Sequence, residues 1–135
     1  MFRYERIAQY YETDQMGVIH HANYLHWMEE ARIALLDACG MGFDAMEAAG
    51  LVSPVTAVQC EYRKPVHFKD AIVVEVRLRA YDGVRLTLDY KVLNGDQEAF
   101  AATSSHVMMT KTGTFARMRR DHPEWDAKLR GMVEA

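Results

Sequence analysis

Cysteine, proline and excess positive charge are all scarce in this chain, and each scarcity excludes something. Of 135 residues only two are cysteine, Cys39 and Cys60. Two isolated thiols with no CxxC pair cannot build the disulfide framework of a small secreted protein, and they read as buried small hydrophobes. No apolar run reaches the ~18 residues needed to cross a bilayer. The opening segment, Met1 to Gln9, is charged and aromatic and lacks the apolar core of a secretion signal. A cytoplasmic location with no membrane insertion is therefore the expectation. A net charge of -3 gives no field that would draw in nucleic acid. An anionic ligand would need a local basic cluster. GxSxG, Walker and dinucleotide-binding glycine motifs are all missing, as is HExxH. His20, His21 and His26 have no further clear ligand, so neither a metal nor any other cofactor is expected.

What is present is the ordinary composition of a globular chain, half hydrophobic and about a quarter charged, expected to fold as a single domain over residues 1–135. Phe2 to Tyr10 reads as a first strand, and Glu12 to Gly17 as a polar turn. A stretch without Gly or Pro, from about Ala22 to Cys39, reads as a helix closed by Gly40. Leu25, Met28, Arg32, Leu35 and Cys39 share one stripe of it. Tyr24, Trp27, Ala31, Ala34 and Ala38 share the next. A surface this broad predicts a helix buried on more than one side. Phe43 to Ala49 predicts a second, short helix. Val55 to Tyr62 predicts a strand that stops before Lys64-Pro65.

The period then changes to two. Ile72, Val74, Val76 and Leu78 alternate with polar residues, as do Leu86, Leu88, Tyr90 and Val92. Asp82-Gly83 and Asn94-Gly95-Asp96 sit where hairpin turns belong. A last strand, Ala99 to Thr110, has small or apolar residues on both faces, and Pro123 opens a C-terminal helix. One strand, one long apolar helix and four antiparallel strands predict an α+β hotdog fold. In it, a curved antiparallel sheet of about five strands wraps one long helix.

Chemistry concentrates in one segment, Tyr10-Tyr11-Glu12-Thr13-Asp14-Gln15-Met16-Gly17-Val18-Ile19-His20-His21-Ala22-Asn23-Tyr24. It resembles the 4-hydroxybenzoyl-CoA thioesterase family, and within it the branch of bacterial acyl-CoA thioesterases often found beside the Tol–Pal envelope proteins. The shared pattern is an acidic residue, Thr, Asp, a short linker, Gly, an apolar pair, His, a small residue and Tyr. It continues into a helix with Glu29 and Ala31-Arg32. The chain departs from the pattern at Met16, at His20 and at Thr110 to Gly113, where the family often has an Asp. The resemblance implies hydrolysis of an acyl-CoA substrate. It also implies a homodimer whose sheets join edge to edge, with two sites at the seam, or a homotetramer built from such dimers.

Thioester hydrolysis needs an attacking group or a base, oxyanion stabilisation, and a grip on the long anionic coenzyme A. By itself Asp14 reads as a turn or capping residue; within the pattern it is the expected nucleophile or general base. His21 is expected to donate to the thioester oxygen or orient water, with Tyr10 in a supporting role. Gly17 lets the loop approach a ligand. The backbone amides of Ala22, Asn23 and Tyr24 open the helix, where its dipole favours developing negative charge. Glu29 and Arg32, at i and i+3, read either as a local ion pair or as the border of an acyl pocket or dimer seam, which keeps Glu29 a candidate carboxylate. Arg63, Lys64, Lys111 and Arg117 are the candidate partners of the coenzyme A phosphates. An acyl-carrier-protein thioesterase and a non-catalytic acyl-CoA-binding protein are the alternative readings. A hotdog hydratase fits poorly: its motif spaces Asp and His by four residues around Asn-Pro, whereas six residues and no Pro separate Asp14 from His21.

Overall fold

The computed structural model describes residues 1–134. Five strands form one antiparallel sheet: β1 (Phe2–Ile7), β3 (Val55–Tyr62), β4 (Ala71–Tyr81), β5 (Arg85–Asn94) and β6 (Gln97–Val107), in the order β1-β4-β5-β6-β3. A two-stranded ladder joins β2 (Leu51–Val52) to β7 (Met109–Thr110). The helices are α1 (Asn23–Ala38), α2 (Phe43–Ala48), α3 (Met118–Asp121) and α4 (Pro123–Met132). This is the hotdog arrangement. Both expected hairpins form, β4 to β5 through Asp82-Gly83 and β5 to β6 through Gly95-Asp96. Asp82 Oδ1 accepts from the Val84 and Arg85 amides at 2.9 and 2.7 Å, fixing the first turn.

The period-two pattern sets the faces. Ile72, Val74, Val76 and Leu78 of β4, and Leu86, Leu88, Tyr90 and Val92 of β5, are buried, as are Phe100, Ala102, Ser104 and His106 of β6. All but Ser104 and His106 belong with Trp27, Met28 and Ala31 of α1 to one hydrophobic core. The opposite face is polar. On it Asp89 bridges Arg77 and Arg79 at 3.1 and 3.2 Å and accepts from Thr103.

Four departures from the expectations are seen. The first strand ends at Ile7, and Tyr10–Glu12 form a 3-10 turn, because the chain must reverse to bring Glu12 under α1. The last strand breaks at Met108, so its end, β7, pairs with β2 instead of extending β6. Strand β2 and helix α3 had no readable pattern, being two and four residues long. The fourth departure concerns α1, which a single chain buries on one side only: Leu25 and Ile33 stay 43% and 44% exposed. The edge strand β3 is equally uncovered. Val58, Cys60 and Tyr62 pair with the inward-facing Ser104, Ala102 and Phe100, yet Val58 and Tyr62 remain exposed.

Candidate active site

Glu12 organises the loop that carries Asp14. Its carboxylate is almost fully buried, where an unpartnered charge would be costly. It is met by Arg6 Nη1 at 2.6 Å, the Gln9 amide at 2.9 Å and Trp27 Nε1 at 2.8 Å. Burial alone would raise this carboxyl's pKa. The hydrogen bonds from Arg6, Gln9 and Trp27, with the charge of Arg6, outweigh burial and hold the group below the usual glutamate range. The Glu12 carbonyl accepts from the His20 amide and from Asn23 Nδ2, both at 2.8 Å. One residue thus ties the loop to β1, to the helix entrance and to the underside of α1.

Asp14 follows in a tight turn. Its amide donates to the Val18 carbonyl at 2.9 Å, and its own carbonyl accepts from the Gly17 amide at 3.0 Å. Asp14 Oδ1 accepts from the Met16 amide at 2.8 Å. That bond leaves Oδ2 without a partner among the described residues. Gly17 takes φ +77°, the left-handed region that a side chain disfavours. Asp14 itself is half-buried, while Met16 at the turn's tip is 80% exposed.

The three helix-entrance amides differ. Ala22 N–H donates to His20 Nδ1 at 3.1 Å and Asn23 N–H to the His20 carbonyl at 2.9 Å. The Tyr24 N–H has no acceptor among the described residues. The Tyr24 ring is buried against Phe100, with centroids 4.7 Å apart, and meets Tyr62 edge-on. His21 is exposed and stacks on His20; its carbonyl accepts from the Tyr62 hydroxyl at 2.8 Å. Tyr10 is 74% exposed and meets Phe68 edge-on.

The remaining candidates lie apart from this loop in the sequence and in the elements that carry them. Glu29 is exposed on α1, its nearest cation Arg32 at 4.0 Å. Arg63 is already held by Glu61 at 2.7 Å and by Glu98, so it would have to give up two carboxylates to hold a phosphate. Lys64 is exposed after β3, Lys111 sits on the turn after β7, and Arg117 is exposed at the start of α3. Among the described residues no group of three or more His, Cys, Asp or Glu could hold a metal ion, and no helix is long and apolar enough to cross a membrane.

A second feature was not legible in the sequence. Between the later half of α1, the sheet and α4 lies a cavity of about 350 Å³, walled mainly by Leu, Met and aromatic side chains. A buried polar chain borders it: Arg32 Nη1 to the Tyr90 hydroxyl at 3.1 Å, Tyr90 to Ser104 at 2.7 Å, and Ser104 to His106 Nε2 at 2.8 Å. Burial, then the charge of Arg32, push the His106 pKa down to about 4 against a hydrogen bond to the Ser53 backbone. The alternation of β5 was the only signal for Tyr90; the last strand, with small or apolar residues on both faces, carried none for Ser104 and His106.

Comparison with known proteins agrees with this architecture. Residues 9–130 match the model of the thioesterase-like superfamily. The Bacillus subtilis (strain 168) protein named "Putative acyl-CoA thioesterase YneP" is 38% identical over 120 residues, 87% of each chain. A hypothetical protein from Aquifex aeolicus superposes with TM-score 0.89 at 31% identity, over 96% of this chain and 99% of its own. The DHNA-CoA thioesterase of Staphylococcus aureus superposes with TM-score 0.89 at 29% identity, over 96% and 88%. Matched across most of its length in both sequence and fold, the chain belongs to the thioesterase-like superfamily.

Proposed function

We propose that this thioesterase hydrolyses an acyl-coenzyme A to the free acid and coenzyme A, with Asp14 as the central catalytic group. The observation that carries the reading is the pairing of a half-buried carboxylate on a rigid turn with an unengaged amide at the entrance of α1. Glu12 fastens the two segments together. An oxyanion developing on the thioester oxygen would take the Tyr24 N–H, where the helix dipole adds to the hydrogen bond. The Ala22 and Asn23 amides back it electrostatically. Asp14 serves two routes equally. It attacks the carbonyl to give a mixed anhydride and release the thiolate, or it takes the proton of an attacking water. His21 donates to the thioester oxygen or orients that water, and Tyr10 lines the approach. Lys64, Lys111 and Arg117 hold the nucleotide phosphates, with Arg63 available only after exchange of its carboxylates. Glu29 is the carboxylate to test if Asp14 proves dispensable.

The same reading places the chain in the 4-hydroxybenzoyl-CoA family's Tol–Pal-associated branch, in the cytoplasm, as one catalytic unit over residues 1–135. It assembles as a homodimer through β3, or as a homotetramer of such dimers. The two sheet edges support this assignment. Strand β1 carries Arg3, Glu5 and Arg6, charges that discourage pairing, while β3 exposes Val55, Val58 and Tyr62. A partner's sheet continuing from β3 would cover that row together with Leu25 and Ile33. Two measurements test the proposal. A panel of aliphatic and aromatic acyl-CoA esters read with a thiol reagent should show turnover for at least one acyl class; no release from any of them overturns the reading. Light scattering should give a multiple of 15.5 kDa, and a monomer at micromolar concentration removes the dimer.

A further inference from the structure

The polar chain beside the cavity begins at Arg32. Arginine can only donate, so the Tyr90 oxygen accepts from Arg32 at 3.1 Å. Tyr90 shares a hydrogen bond with Ser104 at 2.7 Å, and Ser104 shares one with His106 Nε2 at 2.8 Å. His106 also meets the Ser53 backbone, a hydrogen bond that opposes the lowering of its pKa. Each member is satisfied in turn, and His106 is the neutral terminus of the chain. Arg32 alone is left over. Its guanidinium has five N–H donors and spends one on Tyr90. The single carboxylate near it, Glu29, stands 4.0 Å away on a side chain that is 62% exposed, while the Arg32 side chain is only 17% exposed. An exposed pair at that distance contributes little. Arg32 lines the cavity, and among the described residues its guanidinium makes no hydrogen bond besides that to Tyr90.

A half-buried cation with unspent donors, at the rim of a mostly apolar space that Glu29, Ser53 and His106 also border, is complementary to one ligand chemistry. We propose that this cavity is a binding subsite for an amphipathic carboxylic acid. The carboxylate lies on Arg32 and the hydrocarbon body runs between Leu88, Met108 and Leu129. A fork of parallel N–H groups matches a carboxylate in two-point geometry. The cavity, about 350 Å³, is at the small end of the usual ligand range of about 300–1,000 Å³, which suits a medium chain or one ring system. Such a carboxylate has two sources: a free acid of the kind the proposed reaction releases, or the far end of a dicarboxylic acyl thioester.

Calorimetric titration of the intact protein with octanoate and with 1-octanol tests this without reference to catalysis. Octanoate should bind once per chain. Arg32→Met should weaken it at least tenfold, Arg32→Lys should recover part of the loss, and 1-octanol should be indifferent to both changes. Met132→Trp, which fills the cavity from α4, should abolish octanoate binding and keeps the test decisive should Arg32→Met misfold. Octanoate binding that is absent from the wild type, or untouched by Arg32→Met or by Met132→Trp, overturns the proposal. A second arm assigns the source and rests on the thioesterase reading, so its failure is visible separately from that of the first. The KM for octanedioyl-CoA should rise at least tenfold in Arg32→Met while that for octanoyl-CoA holds, if the carboxylate is the acyl group's own. Unchanged KM for both, with octanoate binding lost, assigns the subsite to the free acid.

Discussion

Along its first turn and a half, Asn23 to Met28, α1 is tied down by hydrogen bonds; from Glu29 onward it borders an apolar cavity. At the first end Asn23 and Trp27 both bond to Glu12, and Tyr24 packs among aromatic rings. At the second, the wall is Leu, Met and Trp with a single rim of polar groups. Hydrogen bonds are directional, so the first end fixes positions to within a fraction of an ångström, as bond making requires. Apolar contacts are not directional, so the second end selects by volume and tolerates change. The carboxylate proposed to react lies at the end where geometry is fixed, and the proposed ligand body at the end where it is not.

The hydrogen-bonded end is most vulnerable at Glu12. Glu12→Ala leaves Trp27 Nε1 and the Gln9 amide without their acceptor and Arg6 with Glu30 alone, and removing one partner of a buried ion pair typically costs about 3–5 kcal/mol. Urea denaturation should show a loss of that order, accompanied by lost activity as the Asp14 turn loosens. A loss under about 1 kcal/mol, the value of an exposed pair, would mean that Glu12 does not organise the loop. The pH dependence has a defined sign. The folded pKa of Glu12 lies below its unfolded value, so its stabilisation is complete above about pH 4.3, the ordinary glutamate pKa. It is lost as pH falls through the lower folded value. Glu12→Gln should flatten that acid limb when melting temperature is followed from neutral to acid pH.

Smaller changes sharpen the comparison at the other end. Leu88 is buried but borders the cavity, so its side chain already lacks neighbours on one side. Leu88→Ala should fall in the lower part of the usual range of about 2–5 kcal/mol, and less than Val74→Ala per methyl group removed, both read by denaturant midpoint. The smallest effect belongs to the surface cations. Lys64→Ala removes an exposed charge worth about 0.2–1 kcal/mol, so the KM for an acyl-CoA should rise roughly 1.4- to fivefold, and less at high salt. An unchanged KM at low salt would take Lys64 out of the binding surface.

Most of the fold could be read because its cause is local. Alternation in Ile72 to Leu78 and in Leu86 to Val92 follows from a sheet with one wet face. The turns at Asp82-Gly83 and Asn94-Gly95 follow from backbone sterics. The segment from Tyr10 to Tyr24 could be read because its chemistry is contiguous in the chain. The rest depends on distance in sequence. Glu12 looked like one more polar turn residue because Trp27 and Arg6, which bury it, lie on other elements. Arg32, Tyr90, Ser104 and His106 come together only when β5 and β6 face α1. Arg63 looked free until Glu98, 35 residues on, closed over it. The uncovered half of α1 could not be read either, since an apolar helix surface does not say whether its own chain or a second copy covers it.

The central claim is that Asp14 carries the chemistry, and Asp14→Asn tests it most directly because it keeps the shape of the turn and removes the charge and basicity. Steady-state thiol release should show kcat reduced by roughly 10²–10⁴-fold, the usual worth of a positioned base. KM, melting temperature and oligomeric state should stay unchanged. A folded, assembled Asp14→Asn protein that turns over its best acyl-CoA at close to the wild-type rate would contradict the assignment.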